Sequence, residues 1–295
     1  MSILKTTSGG VRVVAEAGCN HCGDLNIARQ MISVAAWCGV DCVKFQKRNV
    51  KELLSEKEYN RPYDNFNSFG ATYGEHRDAL EFSMPEHYVL QEVCRLNNVG
   101  YGCSVWDMTS ARQLTKLKPD LMKIPSAKNH DIAMMKWLLD HYDGPIHVSC
   151  GMMTLTERER FRALVDEWRD RIIVYHCTSA YPVEFKDVYL AEIDRFRQSW
   201  SHRAGLGFSG HHRGIAVDIA AATRGAQWIE RHFTLDRTWK GTDHAASLEP
   251  DGLRRLVRDL RNVHEASGTK SKDILDCELP NRRKLKGEDS SPDTN

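Results

Sequence analysis

Short apolar segments recur along the chain, and polar or charged residues follow most of them. Eight such segments span residues 11–18, 42–46, 101–105, 121–125, 145–150, 172–177, 204–209 and 228–233. Apolar residues at helical spacing lie between most of the segments and after the last one, as in residues 24–37, 85–97, 131–141, 155–168, 215–224 and 250–264. Eight strands that alternate with helices predict an α/β fold, a closed parallel (β/α)8 TIM barrel.

Two segments lie outside this alternation. The connection at residues 47–83 is too long for an ordinary turn and is rich in Asn, Tyr, Gly and Phe, so we expect it to fold over the barrel mouth as a lid. The barrel domain is predicted to span residues 1–267. The polar residues 268–295 are predicted to form a tail whose last ten residues are disordered.

The charge balance argues against nucleic acid and membrane partners. The chain carries 41 Lys and Arg against 40 Asp and Glu, a formal net charge of +1, so the total implies no basic face. No apolar run approaches the roughly 20 residues that a membrane-spanning helix needs, and the first ten residues lack the apolar core of a signal peptide. We therefore expect a cytoplasmic protein whose nine cysteines are mostly buried thiols.

Four cysteines near the N-terminus have a spacing that resembles zinc-ligand motifs: Cys19, Cys22, Cys38 and Cys42. The residues between the two pairs are predicted to form one helix, roughly 20 Å long at 1.5 Å per residue. That helix would hold the pairs at its opposite ends, which argues against a shared zinc site. Redox chemistry of Cys19 and Cys22 is a further alternative.

In a barrel of this kind the active site lies at the carboxyl ends of the strands. The predicted strands and the loops after them place there Glu16, Asn20, His21, Lys44, Gln46, Ser104, Asp107, Lys123, Ser126, Lys128, Ser149, His176, Thr178, Ser179, Tyr181, Ser209, His211, Glu230, His232, Asp243 and His244. A single His or Ser in such a set is most often a buried residue with satisfied hydrogen bonds. Together, however, two lysines and several hydroxyls suit a phosphate and a carboxylate, and two histidines on adjacent strands suit one metal ion.

These residues lie in motifs that resemble those of the sialic acid synthase (N-acetylneuraminate synthase) family. The motifs follow the family's order over nearly the whole barrel: AEAGCNHCGD (15–24), VKFQ (43–46), KIPSA (123–127), SCGM (149–152), HCTSAYP (176–182), GFSGH (207–211), ERHFTLD (230–236) and GTDHAASLEP (241–250). A single motif such as VKFQ is weak evidence, whereas eight in order indicate the family.

The resemblance implies a role for each matching residue. Phosphoenolpyruvate would be held by Lys44, Gln46, Ser104, Lys123, Ser126, Ser149, Ser179 and Ser209. A divalent metal, Mn²⁺ or Mg²⁺, would be bound by His211 and His232. Catalytic positions near the reacting water or the sugar match Glu16, Tyr181 and Asp243. Sugar contacts are expected from Asp107, Lys128, Tyr181 and Asp243.

The implied reaction joins phosphoenolpyruvate to a sugar aldehyde, either N-acetylmannosamine-like or anionic, and gives a nonulosonate-like 3-deoxy-2-keto sugar acid and phosphate. The metal acts as a Lewis acid on the aldehyde oxygen. Glu16 is the candidate for handling the water that adds to C2, because a carboxylate can stabilise a cation and accept a proton. A homo-oligomer is among the assemblies open to this chain.

Three features depart from the family's pattern. Lys128 stands where relatives that act on an N-acetylated hexosamine usually have a carboxylate, so the acceptor is bound differently or is itself anionic, unless Lys128 faces solvent. Gly210 replaces the Asp that usually precedes the metal-binding histidine, which predicts weaker metal binding. Residues 281–288 resemble the linker before the family's C-terminal antifreeze-like domain, so we expect the chain to stop where that domain would begin.

Two other functions compete with this interpretation. A lysine at a strand end, such as Lys44 or Lys123, could form a Schiff base with a carbonyl substrate, as in aldolases. Alternatively, the barrel could be non-catalytic and retained for binding, an alternative that Lys128 and Gly210 make conceivable.

Overall fold

The computed structural model of the protein describes residues 10–168, 170–200 and 204–287. Its strands are β1 (Arg12–Gly18), β2 (Cys42–Lys47), β3 (Gly100–Val105), β4 (Leu121–Ile124), β5 (Ile146–Ser149), β6 (Ile172–His176), β7 (Leu206–Gly210) and β8 (Trp228–His232). Within the described residues these eight strands are parallel, each pairs with its neighbours in chain order, and β8 pairs with β1 to close a barrel. The predicted (β/α)8 fold is confirmed.

Helices connect the strands, and local side chains fix where several of them begin. The helices of the described residues are α1 (Leu25–Trp37), α2 (Val50–Leu53), α3 (Glu56–Tyr59), α4 (Tyr73–Asp78), α5 (Met84–Leu96), α6 (Met108–Leu117), α7 (Ile132–His141), α8 (Leu155–Glu167), α9 (Ala191–Ser199), α10 (Ala216–Thr223), α11 (Pro250–Ala266) and α12 (Leu279–Lys286). Asp24 and Thr154 cap α1 and α8, because their side-chain oxygens accept hydrogen bonds from N–H groups of the first turn. In this described part of the chain, no helix has the length and apolar character needed to cross a membrane.

The interior of the barrel changes from apolar to charged along each strand. Val14, Cys42, Leu121 and Trp228 belong to a buried apolar cluster inside the barrel. Side chains alternate between the two faces of a strand, so the residue two positions later also faces the interior, nearer the carboxyl end. On the same four strands those residues are Glu16, Lys44, Lys123 and Glu230.

Strand pairing sets polar residues side by side at the carboxyl end. Glu16 of β1 is in register with Lys44 of β2 on one side and with His232 of β8 on the other. Ser104 of β3 is in register with Lys123 of β4. Because the barrel is closed, these neighbours meet around one opening.

Residues 47–83 form an insertion between β2 and α5 that contains α2, α3 and α4. Five of its side chains line the cavity at the barrel mouth, namely those of Arg48, Phe69, His76, Arg77 and Leu80. The insertion also contacts the loop after β8, where the Gly241 N–H donates to Asn67 Oδ1 at 3.1 Å. This segment therefore covers part of the mouth.

The C-terminal segment holds more regular structure than the sequence predicted. After α11, a short 3-10 turn at Asp276–Glu278 leads into α12, which buries none of its described side chains. The basic, polar sequence of α12 has no apolar periodicity, so pattern alone did not indicate a helix there. The predicted disorder of the last ten residues falls mainly on 288–295, which lie outside the described residues.

Candidate active site

A cavity of about 240 Å³ opens at the carboxyl end of the barrel. The predicted site residues that line it are Glu16, Lys44, Gln46, Ser104, Lys123, Ser126, Ser149, Tyr181, Ser209, His211, His232 and Asp243. Ser179 lies behind this lining, where its hydroxyl donates to Ser126 Oγ at 2.9 Å. Every strand of the barrel, or the loop after it, thus contributes to one cavity.

Oppositely charged groups alternate across the floor of the cavity. The Lys44 ammonium contacts the Glu16 carboxylate and lies 3.6 Å from Glu230 Oε2. The same Glu230 oxygen lies 3.0 Å from Lys123 Nζ. All four side chains are buried, and Lys44 also donates to Ser104 Oγ at 2.8 Å. The floor is therefore a row of two ammoniums and two carboxylates, defined here as the charge row.

The two lysines differ in how firmly they hold their charge. Burial lowers the pKa of Lys44, but Glu16 and Glu230 outweigh it and leave that pKa above its ordinary value. Burial lowers the pKa of Lys123, and the single carboxylate of Glu230 does not restore it. Lys123 also lies 3.6 Å from the centre of the Tyr175 ring, a cation–π contact that favours the charged form.

A histidine pair lies at the wall of the cavity. The rings of His211 and His232 have their centres 5.6 Å apart. His211 Nδ1 lies 2.9 Å from the Thr178 carbonyl oxygen and must donate to it, since a carbonyl only accepts. Its Nε2 atom therefore keeps a lone pair. Burial, reinforced by His232, lowers the pKa of His211 to about 3, so the ring is neutral at pH 7.

The donor chemistry of this pair fits a divalent metal ion. Within the described part of the chain, His232 Nδ1 is buried without a hydrogen-bond partner. Neutral imidazoles with a free ring nitrogen are common metal ligands. No group of three or more His, Cys, Asp or Glu side chains in the described residues is arranged to hold a metal, so an ion on this pair would keep positions open for water or substrate.

Tyr181 and Asp243 flank the histidine pair. The Tyr181 ring centre lies 4.2 Å from that of His211, and Asp243 Oδ2 lies 3.8 Å from His232 Nδ1. Burial alone would raise the pKa of Asp243, but the charges and hydrogen bonds around it, led by His232, lower it instead. A carboxylate and a phenol therefore stand beside the histidines, where they can bond to sugar hydroxyls or water.

A glycine keeps the centre of the cavity open. Gly18 follows an irregularity in the pairing of β1 with β2 and has a φ of 55°, a conformation that side chains rarely adopt. A Cβ at this position would lie 3.2 Å from Gln46 Nε2 and 3.3 Å from Glu16 Oε1. Any larger residue would therefore push against the two side chains that face the cavity here.

Asp107, which was predicted to bind the sugar, does not line the cavity. Its Oδ1 accepts from the Ser110 N–H at 2.7 Å, and its Oδ2 accepts from the Asn49 N–H at 2.7 Å and from the Ser110 hydroxyl at 2.8 Å. The side chain is buried and caps α6. Its carboxylate is occupied by the backbone, because the same residue that ends the β3 loop begins the next helix.

Lys128 lies in a neighbouring groove rather than in the main cavity. It lines this groove together with Tyr73. The apolar part of the lining comes from Val50, Leu53 and Leu54. Arg48, Arg77 and Trp106 line both the groove and the cavity, so the two spaces adjoin. We call this space the cationic groove, after Arg48, Arg77 and Lys128.

Gly210 makes room for a buried cluster behind His211. A Cβ on Gly210 would lie 2.8 Å from His212 Cε1 and 2.9 Å from Asp218 Oδ1. Arg231 contacts Asp218 at 2.5 Å and donates to the His212 carbonyl oxygen at 2.7 Å. Asp218 from α10 and Arg231 from β8 thus form a buried ion pair beside His212, the residue after His211.

The cysteines form neither a zinc site nor a disulfide among the described residues. Cys38 and Cys42 are buried beyond the end of α1, while Cys19 lines the cavity at the other end of that helix. Burial raises the pKa of Cys19, despite the nearby Arg48 guanidinium. A raised pKa disfavours the thiolate that redox chemistry needs.

Sequence reasoning left three charged residues of the site without a role. Glu230 was among the strand-end residues, yet only the barrel brings it between Lys44 and Lys123. Arg48 and Arg77 lie in the insertion and line the cavity. The signal for Glu230 was present, because it precedes His232 by two positions on one strand and so shares its face.

The mouth of this closed (β/α)8 barrel combines paired lysines and carboxylates, hydroxyls and two histidines, a combination typical of an enzyme site that binds anions. Residues 31–272 match the model of the NeuB family. The chain belongs to this family, that of the sialic acid synthases, and it is an enzyme.

Individual relatives agree with this assignment. The chain is 37% identical to the human N-acetylneuraminate-9-phosphate synthase over 273 residues, which cover 92% of this chain and 76% of the relative. It is 34% identical to an N,N'-diacetyllegionaminic acid synthase of Campylobacter jejuni over 260 residues, 87% of this chain and 77% of that one. Its fold matches the crystal structure of the N-acetylneuraminic acid synthetase of Leptospira borgpetersenii in complex with citrate with a TM-score of 0.78, at 27% identity, over 94% of this chain and 93% of that one.

Proposed function

We propose that this enzyme condenses phosphoenolpyruvate with a sugar aldehyde, using a divalent metal ion, to give a nonulosonate-like 3-deoxy-2-keto sugar acid and inorganic phosphate. The observation that carries the proposal is the pair of buried ammoniums of Lys44 and Lys123 in one cavity with the histidine pair. Buried lysines suit the phosphate and carboxylate of one substrate, and the histidines suit a metal for the other.

The lysines and hydroxyls would bind and orient phosphoenolpyruvate. The hydroxyls of Ser126, Ser149 and Ser209 line the same cavity as Lys123 and can donate to phosphate oxygens. Lys44 has the Ser104 hydroxyl at 2.8 Å, which suits the two oxygens of a carboxylate. Fixing both ends of the molecule holds its methylene carbon in one place, which lowers the entropic part of the barrier.

His211 and His232 would hold Mn²⁺ or Mg²⁺, which supplies Lewis-acid polarisation of the aldehyde when it is bound. The methylene carbon of phosphoenolpyruvate forms a bond to the aldehyde carbon, and the aldehyde oxygen takes up a proton. Water adds at C2, loses its protons, and the C–O bond to phosphate breaks. Glu16 would accept a proton from that water; in support of this role, its carboxylate lines the cavity and contacts Lys44 and Gln46.

The contacts of the lysines favour anion binding over Schiff-base chemistry. A Schiff-base lysine must be a neutral amine to attack a carbonyl carbon. Lys44 contacts Glu16 and lies near Glu230, and its raised pKa keeps it protonated. Lys123 is paired with Glu230 at 3.0 Å. Failure to trap a keto acid on the chain with borohydride would agree with this assignment.

The acceptor, we infer, carries an anionic group that enters the cationic groove. Arg77 and Lys128 line the groove, and Arg77 contacts the Tyr73 hydroxyl at 3.1 Å, whereas Arg48 is paired with Glu81. Several relatives are named for a 9-phosphate product, the kind of group that these cations suit. A neutral sugar would offer Arg77 and Lys128 no anionic partner, which gives selectivity.

A phosphate-release assay tests the proposal directly. The full chain is incubated with phosphoenolpyruvate, Mn²⁺ and a panel of free and phosphorylated aldoses, and released phosphate is measured. We expect release that requires an aldose, is fastest with a phosphorylated one, and stops reversibly on chelation. Full turnover in the chelated enzyme would show that the Lewis-acid part is wrong, and no release with any aldose would refute the condensation.

A further inference from the structure

Glu230 is the central member of the charge row, and no step of the proposed reaction uses it. Its side chain projects from β8 into the barrel and is 6% exposed. Oε1 accepts from the Ser209 hydroxyl at 3.0 Å, so the carboxylate is held by a neighbour on β7. Oε2 faces both ammoniums, 3.0 Å from Lys123 and 3.6 Å from Lys44.

A carboxylate at the position of Glu230 is unfavourable for anion binding. A cavity built only to bind phosphate tightly would leave its lysines without an internal carboxylate. Here the row of Glu16, Lys44, Glu230 and Lys123 has no net charge before any ligand arrives. An incoming phosphate must share Lys123 with Glu230 and meets a negative charge at close range in a poorly solvated space.

We propose that Glu230 is a built-in counter-ion that competes with phosphate groups for Lys44 and Lys123 and thereby keeps the product phosphate weakly bound. The inference rests on the proposed function, since it concerns the phosphate that the condensation releases. Glu230 would act on phosphate binding through the two lysines. We assign it no contact with the reacting carbon atoms.

The same geometry explains why the carboxylate is kept. Two buried ammoniums close together repel each other and lose hydration, so an empty site without Glu230 would be costly. With Glu230 present, Lys123 stays charged and oriented toward the cavity between turnovers. The two ammoniums, 3.0 Å and 3.6 Å from Glu230 Oε2, in turn favour the anionic form of this carboxylate.

The test compares phosphate binding in Glu230→Gln and in the wild-type chain. Gln keeps the size and an oxygen that can accept from Ser209, while it removes the charge and replaces Oε2 by an NH2 group. Binding of inorganic phosphate to the full chain at pH 7 is measured by titration calorimetry, and inhibition of turnover by added phosphate is measured alongside. Glu184→Gln, a change of the same type at an exposed position outside the cavity, is the matched control.

We expect Glu230→Gln to bind phosphate at least about tenfold more tightly, because one close like charge is gone. Its KM for phosphoenolpyruvate and its kcat should both fall, since substrate and product are held longer. Glu184→Gln should match the wild type. Glu230→Asp keeps the charge and should bind phosphate as weakly as the wild type. It serves as the second variant if Glu230→Gln does not fold. In that case, tighter phosphate binding by Glu230→Asp than by the wild type would count against the proposal.

The outcomes separate this proposal from the proposed function. If the wild type binds phosphate and turns over but Glu230→Gln binds phosphate equally or more weakly, Glu230 only holds the lysines in place and the counter-ion proposal is overturned. If the wild type binds neither phosphate nor phosphoenolpyruvate, both proposals fail.

Discussion

Lys123 is the cavity cation with the weaker electrostatic support. It has one carboxylate neighbour, Glu230, and the like charge of Lys44 lowers its pKa further after burial has done so. Lys44 has carboxylates on two sides. A substrate phosphate would therefore stabilise the charged form of Lys123, and both partners gain from the contact.

Removing Lys123 should weaken substrate binding. A charge-assisted contact is worth roughly 1.5–3 kcal/mol, so Lys123→Ala should raise the dissociation constant of phosphoenolpyruvate at least tenfold in calorimetry. The control is Lys136→Ala, which removes the same charge from an exposed position on α7. Equal affinities in the wild type, Lys123→Ala and Lys44→Ala would refute the assignment of both lysines to this substrate.

We expect Lys128 to influence which acceptor is preferred. Lys128→Glu should lower kcat/KM for an anionic aldose by tenfold to a hundredfold, about 1.4–2.7 kcal/mol, because attraction in the cationic groove becomes repulsion. Lys128→Met, which keeps much of the length without the charge, should show a smaller loss. A wild type that prefers neutral N-acetylmannosamine, together with unchanged kinetics in Lys128→Met, would mean that the groove does not bind the acceptor.

At the scale of elements, the insertion and the loop after β8 are joined over the cavity. The Gly241 N–H donates to Asn67 Oδ1 at 3.1 Å, and Lys240 Nζ lies 4.7 Å from the centre of the Phe69 ring. The same loop carries Asp243 into the cavity. Movement of the insertion would therefore open the cavity and shift a residue beside the histidine pair.

Cutting this contact should loosen the insertion without unfolding the barrel. Asn67→Ala removes one hydrogen bond, worth about 1 kcal/mol, so amides of residues 60–72 should exchange several-fold faster with deuterium while the thermal midpoint stays nearly constant. Asn60→Ala is the control, because the Asn60 amide donates to the Glu56 carbonyl within the insertion. Identical exchange in wild type and Asn67→Ala would show that the contact does not hold the insertion.

For the whole molecule, buried neutral histidines tie stability to pH. Burial lowers the pKa of His21 to about 3 and that of His87 to about 3, against 6.5 for an exposed histidine. Below pH 6.5 these histidines therefore bind protons in the unfolded chain but stay neutral in the folded chain. Stability from these groups is complete above pH 6.5 and is lost progressively as pH falls toward 3.

The free energy of unfolding should fall as the pH is lowered, and these histidines should contribute to the slope of that free energy against pH. Each histidine contributes about 1.4 kcal/mol per pH unit between roughly pH 5.5 and pH 4. His87→Gln, which keeps a hydrogen-bonding group for Tyr101, should reduce the slope by that amount in denaturant titrations at several pH values. A variant with the wild-type slope would show that His87 is protonated in the folded state.

The sequence determined the architecture and most of the members of the site. Eight short apolar segments alternate with stretches of helical spacing, and this alternation specifies a barrel. Each segment has the period of apolar residues that its strand or helix needs in order to pack against the core. Strand-end residues such as Lys44, Lys123 and His232 could be predicted for the mouth, since the carboxyl ends of all strands in a closed barrel meet at one face.

Only the tertiary structure decided how these side chains are used. Asp107 follows strand β3 closely, yet its carboxylate accepts from Asn49 and Ser110 and does not line the cavity. Glu230 acquired its role from barrel closure, which sets β8 beside β1 and within reach of β4. Hydrogen-bond partners and charges supplied by distant segments fix the direction and ionisation of a polar side chain, and neither follows from the local pattern that forms its strand.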